Sequence, residues 1–301
     1  MPEILDAALV AQSVKDNCKA EVAALKEKGI TPKVGVVRVG AKGPDLSYEK
    51  SIKNIMGEAD IEVEVYELDA EVSQDDYIAK FKEVNADPAV HGILAFRPLD
   101  NIDENVAIAA NLDILKDVDS TCDSNMGKVV LNDPNGFEPC TAAAIMKIID
   151  FYNIDVKGKN VVVVNNSNVI GKPVSMMLTN RFATVTITHV FTEDLPSFTQ
   201  KADILITAVP VEGAIGAEHV NENTTIIDAT VIRKKMVDEN GEPVINEKTG
   251  RQKMQVIGCT TEEARNICKA YTPVPGLGKV TSAILAENVI KACKLQNGIE
   301  L

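Results

Sequence analysis

The chain has 301 residues, 45% of them hydrophobic and 25% charged, which is enough apolar material for one large or two ordinary globular domains. Its 31 basic and 44 acidic residues leave a formal charge of −13. That balance repels phosphate backbones and anionic lipid, so neither nucleic-acid binding nor a membrane-surface role is expected. No apolar run approaches the roughly 20 residues of a membrane span. The N-terminus scatters charge through its apolar positions and has no signal-peptide core, which predicts a cytoplasmic protein. Cys18, Cys122, Cys140, Cys259, Cys268 and Cys293 form no CxxC pair, and His91, His189 and His219 stand in no ligand spacing. Reduced thiols and no metal site are expected.

Residues 3–29 carry helical periodicity through Ile4, Leu5, Ala8, Val10, Val14, Cys18, Val22, Ala23 and Leu25, closed by Gly29. KVGVVRVG (33–40) reads as a buried strand. A polar loop, AKGPDLS (41–47), leads to a helix over 48–60 with Asp45 or Ser47 near its cap. IEVEVYEL (61–68) alternates as a strand, SQDDYIAKFKEVNAD (73–87) is a helix with a Ser/Asp start, and VHGILAF (90–96) is another buried strand. This repeated β-α-β order implies a parallel sheet covered by helices. NDPNGFEP precedes a helix over 139–150, and a domain boundary is expected there.

The second half gives strand, polar turn and helix in VVVVNNSNVIGKP (161–173), then strands in ATVTITHVF, ADILITAVP and TTIIDATVI. This pattern predicts a dinucleotide-binding α/β domain. The turn is not GxGxxG. Gly171 allows a close backbone approach and Pro173 suits a first helical turn, but simple strand–helix packing explains them equally. Residues 234–256 hold two turn signals, ENGEP and EKTGR, and predict an exposed β-hairpin. TSAILAENVIKACKLQ (281–296) is a final amphipathic helix.

VGVVRVGAKGPDLSYEKSIKN, HGILAFRPL, LKDVDS, EPCTAAAIMKII, VVVVNNSNVIGKPVSMML, ADILITAVP, TIIDA and YTPVPG-LGKVT occur in this order over residues 1–296. Together they resemble the tetrahydrofolate dehydrogenase/cyclohydrolase family, and within it a monofunctional NAD-dependent member. The resemblance implies two α/β domains with a cleft between them. Residues 1–140 with 281–301 would bind folate, and 141–280 would be a Rossmann-like NAD(P) domain. It implies oxidation of 5,10-methylenetetrahydrofolate to 5,10-methenyltetrahydrofolate, with tetrahydrofolate as the carrier, and a homodimer. Tyr48 matches the tyrosine that stacks on the folate rings, and Asp119 the acid that binds the pterin amino and ring N–H groups. Pro273, Val274, Pro275 and Gly276 match the loop that closes on substrate and nicotinamide, although the stretch after it is one residue shorter than the family's. Asn166, Ser167, Asn168, Val169, Gly171, Lys172, Val190, Val209, Thr230 and Thr272 fall at cofactor positions. Thr141 would either touch ligand or cap its helix, and Lys172 would lie near the pyrophosphate or near Asp119. Cys140 reads as a buried small residue, and His189 as packing beside the adenine pocket.

The departures carry the functional expectation. The family places its catalytic lysine four residues after the tyrosine, where this chain has Ile52; Lys53 is one position later. At about 100° per residue, Lys53 is turned about 140° from Tyr48 and cannot simply substitute, which leaves it on the solvated surface. The family glutamine that contacts that lysine is Phe96 here. Hydrolysis of the methenyl product needs an ionisable group, whereas the oxidation mainly needs alignment. A dehydrogenase with little or no cyclohydrolase activity is therefore expected. Two other readings stay open: a bifunctional enzyme using another group, and a non-catalytic folate-binding subunit. Val190 and Phe191 replace the family serine and basic residue, and Asn165-Asn166-Ser167 replaces its G-R-S, which predicts NAD over NADP. Thr230 stands where the family has glycine.

Overall fold

A computed structural model of the chain describes residues 1–238, 241–247 and 250–301. The backbone packs as two compact units, residues 11–143 with 280–301 and residues 1–10 with 144–279. Both are α/β.

The unit of residues 11–143 is built on a three-stranded parallel sheet. β2 (Lys33–Val39) lies between β3 (Glu62–Leu68) and β4 (Gly92–Ala95). Burial follows position: all five inner residues of β2 are buried, whereas edge strand β3 alternates. The crossovers are α2 (Gly43–Glu58) and α3 (Gln74–Ala86). Ser73 caps α3 by accepting from Asp76 N at 3.1 Å, as its Ser/Asp start predicts.

Helix α2 starts earlier than expected. Gly43 to Ser47 are helical, Pro44 sits in the first turn, and the cap position is Lys42, not Asp45 or Ser47. Pro44 preorganises φ for a helical start, which the loop reading overlooked. Two elements of this unit had no sequence expectation. One is a π-helical turn (Asn105–Ala109), the other α4 (Asp123–Leu131), which ends on Asn132 at φ 56°.

The other unit carries a six-stranded sheet in which every pairing is parallel. Its order is β6 (Thr184–Thr188), β5 (Asn160–Val164), β7 (Ile204–Thr207), β8 (Thr225–Asp228), β11 (Ala270–Tyr271), β1 (Glu3–Ile4). β7 and β8 are buried at every position. The expected helix over 3–29 is corrected here. Glu3 and Ile4 pair with Ala270 and Tyr271, and α1 runs Ala7–Glu27, with Asp6 accepting from Ala8 N at 2.8 Å.

The remaining helices are α5 (Cys140–Phe151), α6 (Gly171–Asn180), α7 (Leu195–Thr199), α8 (Glu262–Ile267) and α9 (Leu277–Gln296). α9 begins four residues before its expected start. β9 (Ile232–Lys235) and β10 (Met254–Ile257) form an antiparallel hairpin with mostly exposed side chains. Part of each turn signal, Glu239, Asn240, Lys248 and Thr249, lies outside the described residues. All six cysteines are buried. Among the described residues no helix is long and apolar enough to cross a membrane.

Gly92 opens β4 against the segment that carries Asp119. A Cβ there would stand 2.5 Å from Val118 Cγ1 and 3.4 Å from Val289 Cγ2, both fully buried. Gly92→Ala is expected to destabilise the protein by about 1–3 kcal/mol through overpacking, measured as a lowered urea midpoint.

Candidate active site

In the unit of residues 11–143, the helical repeat puts Glu49, Ile52 and Met56 on the buried face of α2. Arg38, 3% exposed on β2, sets that face. Its Nε donates to Glu49 Oε2 at 2.8 Å and its Nη2 to Glu67 Oε2 at 2.9 Å, while Nη1 donates to Gly40 O. Lys53 Nζ donates to the other Glu49 oxygen at 2.6 Å. Lys53 is thus an ion-paired residue, not merely a solvated one. Lys53 chiefly, and Arg38 with it, hold the Glu49 carboxyl below its ordinary range against the opposing effect of burial.

Tyr48 stands beside this face, 49% exposed, with its ring centroid 5.0 Å from that of Phe96 at 37°. Phe96 itself is 6% exposed and Ile52 is 1% exposed. Burial of the phenol, then the neighbouring Asp119 and Cys140, push the Tyr48 pKa up to about 12, so the hydroxyl stays protonated.

Asp119 lies within a tightly built turn. Asp117 accepts from Thr121 N and Oγ1 at 2.7 Å each, Cys122 N at 2.9 Å and Asn125 Nδ2 at 2.7 Å. Asn288 of α9 donates to Val118 O at 2.8 Å. Burial raises the Asp119 carboxyl above its ordinary range, opposed by the Cys140 thiol and the charge of Arg97. The Cys140 thiol is driven well above its usual value by burial and by Asp119, which makes it a hydrogen-bond partner and no nucleophile. Tyr48, Phe96 and Asp119 therefore share one site. Thr141 lies inside the first turn of α5, past the cap position.

In the other unit, register brings the remaining candidates to one edge. Val164 pairs with Thr188 and with Thr207, Thr207 with Asp228, and Tyr271 with Ile226. The loops bearing Asn166 to Lys172, Val190, Val209, Thr230 and Thr272 all leave the C-terminal ends of these strands. β6 and β7 flank β5 on opposite sides, so the Asn165 loop sits where strand order reverses, the place where parallel α/β sheets bind ligands.

Asn165 Oδ1 shapes that loop by accepting from Ser167 N at 2.9 Å and Gly171 N at 3.0 Å. A Cβ on Gly171 would collide with the Asn165 carbonyl, so this glycine serves strand–helix packing. Lys172 Nζ donates to Asn168 Oδ1 at 2.7 Å. Val190 and Phe191 are 89% and 86% exposed, and His189 is exposed too, its ring edge-on to Phe191. Thr230 is buried, and its hydroxyl accepts from Val209 N at 3.2 Å and donates to Cys259 Sγ at 3.1 Å. Its polar atom is used inside the protein. Pro273 and Val274 border a cavity of about 570 Å³, and a Cβ on Gly276 would come within 2.8 Å of Pro273 O. Among the described residues, no cluster of three or more His, Cys, Asp or Glu is arranged to hold a metal.

Residues 5–119 match the tetrahydrofolate dehydrogenase/cyclohydrolase catalytic domain, and 139–297 match the NAD(P)-binding domain of the same family. The chain belongs to the tetrahydrofolate dehydrogenase/cyclohydrolase family. It is similar to a protein of Clostridium botulinum named bifunctional protein FolD, 36% identical over 98% of this chain and 99% of that one. Among solved structures, a bifunctional FolD methylenetetrahydrofolate dehydrogenase/cyclohydrolase from Campylobacter jejuni matches with TM-score 0.87 and 32% identity, over 98% of this chain and 99% of that one. A Trypanosoma brucei FolD complexed with NADP and an inhibitor matches with TM-score 0.83 and 27% identity, over 98% and 99%. This chain is accordingly an enzyme of folate one-carbon chemistry with methylenetetrahydrofolate dehydrogenase activity and a dinucleotide-binding domain.

Sequence reasoning missed the Arg38–Glu49–Lys53 chain of ion pairs. Its one signal was an arginine inside a β-branched strand. Removing Glu49 leaves Arg38 buried with the Gly40 carbonyl and, as its charged partner, the half-exposed Glu67. Glu49→Ala is expected to cost about 3–5 kcal/mol. The Glu49 pKa is lowered on folding, so its stabilisation is present above the ordinary carboxylate value of about 4.3 and is lost as pH falls through the lower folded value. Urea midpoints across that window should converge between wild type and Glu49→Gln as the pH drops.

Proposed function

We propose that this family member oxidises 5,10-methylenetetrahydrofolate to 5,10-methenyltetrahydrofolate with NAD as the preferred acceptor and hydrolyses the product little or not at all. The unit of residues 11–143 with 280–301 would hold the folate, and that of residues 1–10 with 144–279 the dinucleotide. The reading includes a homodimer, as the resemblance implies, and a cytoplasmic location, as the charged N-terminus suggests.

The observation that carries it is the apolar pair of Ile52 and Phe96 beside Tyr48, at the two positions where the resemblance calls for lysine and glutamine. Asp119, acceptor-only when ionised, would bind paired pterin N–H donors, and each charge-assisted bond is worth about 1.5–3 kcal/mol. Tyr48 would add a stacked aromatic face, worth about 0.5–1.5 kcal/mol beyond burial. Neither group activates water: the phenol is held protonated, and Asp119 would be engaged by the pterin.

The edge at the strand reversal fits a dinucleotide. Asn166 to Lys172 would face the pyrophosphate, Val190 the adenosine ribose, and Val209, Thr230 and Thr272 the nicotinamide. When bound, NAD supplies the acceptor for the two electrons and the hydrogen that leave the substrate methylene. Val190 and Phe191 offer an apolar, uncharged surface, where a 2′-phosphate of charge near −2 would find no lysine or arginine in the sequence of that loop.

A second reading retains hydrolysis through another group. It is favoured by the bifunctional name of the C. botulinum relative, and Asp119, with its raised pKa, is the candidate group.

Steady-state kinetics with each cofactor test the preference. Wild type is expected to show the higher kcat/KM with NAD, and Val190→Ser with Phe191→Arg to raise kcat/KM for NADP at least about tenfold, the value of one charge-assisted contact. A wild-type preference for NADP would contradict it.

A further inference from the structure

We propose that Asp228 is the positioning residue of the dinucleotide site, tying together the three segments that carry Val209, Thr230 and Thr272. The proposal rests on the assignment of those three residues to the cofactor.

Asp228 ends β8 and is 1% exposed. Its Oδ1 accepts from Thr230 N at 2.9 Å and lies 3.7 Å from Cys259 Sγ. Its Oδ2 accepts from Cys259 N at 3.1 Å, Thr260 N at 3.2 Å and Thr260 Oγ1 at 3.0 Å. Its own backbone N donates to Thr272 Oγ1 at 2.8 Å. The buried carboxylate thereby fixes the turn after β8 and the 258–260 segment, and the backbone amide of the same residue holds the first residue of the loop after β11.

The ties extend one bond further. Thr230 Oγ1 holds Val209 N, and Cys259 Sγ lies 3.0 Å from Thr207 Oγ1. The loop after β7 is thus joined to the same centre. Gly258 packs so closely that a Cβ there would collide with Asp228 Oδ2 and stand 2.9 Å from Val274 Cγ2. Gly258, Thr260, Thr272 and Val274 all line the cavity that Pro273 borders, so Asp228 lies beneath its wall.

The chemistry demands a carboxylate. Every group aimed at the Asp228 side chain is a donor, and an ionised carboxyl is acceptor-only. Asparagine would turn an NH₂ toward an N–H and leave buried donors unpaired. The same centre explains how a threonine is tolerated at 230: its hydroxyl is spent on Cys259 and Val209 N.

Displacement of a reacting partner by about an ångström costs about a hundredfold in rate. The adenosine and the pyrophosphate would be served by the loops after β6 and β5, two or more strands away from β8. A positioning role therefore separates the two ends of the cofactor, whereas a merely structural role does not.

The test compares Asp228→Asn with wild type by calorimetric titration of AMP and of NADH. It adds kinetics and the primary isotope effect with substrate deuterated on the bridging methylene. The expected result is an AMP Kd within about twofold of wild type, NADH weakened at least about tenfold, kcat/KM lowered about a hundredfold and a larger isotope effect. A kcat/KM within about threefold of wild type, or equal loss of AMP and NADH, would overturn the proposal.

Thr260→Val removes one donor and keeps the charge, and it decides the matter if Asp228→Asn does not fold. It should lower kcat/KM by about three- to tenfold with AMP binding unchanged, and wild-type kinetics would overturn the proposal. A wild-type protein inactive with both cofactors would sink the proposed reaction instead, leaving the AMP and NADH titrations to judge Asp228.

Discussion

Helix α2 is held to strand β2 by a buried ion pair, and that pair decides which side chains the proposed folate site can use. Arg38 Nε meets Glu49 Oε2 at 2.8 Å with both side chains largely out of water. Taking two charges from water is costly, so the pair tolerates little slippage. With Glu49 fixed inward, Ile52 and Met56 follow one turn on, and Tyr48 takes its place against Phe96. Lys53 is drawn to the remaining Glu49 oxygen. A cation one residue out of register is therefore spent on the α2 ion pair.

The second unit works by a different economy. Its parallel sheet gathers loops from five strand ends along one edge, and hydrogen bonds tie the loops after β5, β7, β8 and β11 to one another. Asn165 organises the turn at the strand reversal, and Asp228 organises the turns on the far side of β7. Parallel sheets bury their strands on both faces, so the polar edge is where such a unit can meet ligand.

Much of this was legible in the sequence. The continuous apolar runs of β2, β5, β7 and β8 announced buried parallel strands, and Ser73 announced its helix. The ordered segments from VGVVRVG to TPVPG announced the family. What was not legible depended on long-range pairing. Glu3 and Ile4 look helical by period, and only β11 makes them a strand. Gly171 read equally as a phosphate-approach or a packing glycine, and the Asn165 carbonyl behind it shows the packing demand. Glu49 and Asp228 had no local signal, because their partners lie on strands and loops brought together by folding. Tyr48, Ile52, Phe96 and Asp119 could be named from motif positions, but the electrostatics of Tyr48 and Asp119 come from mutual burial, which spacing does not report.

The central claim is that an apolar pair beside Tyr48 leaves this enzyme without a group to work on water. The most direct measurement follows the decay of methenyltetrahydrofolate with the pure wild-type enzyme and without it, in a buffer where the spontaneous rate is slow. Decay at the spontaneous rate, from enzyme that is active in the oxidation, is the predicted result. Rapid enzyme-dependent decay would contradict the account.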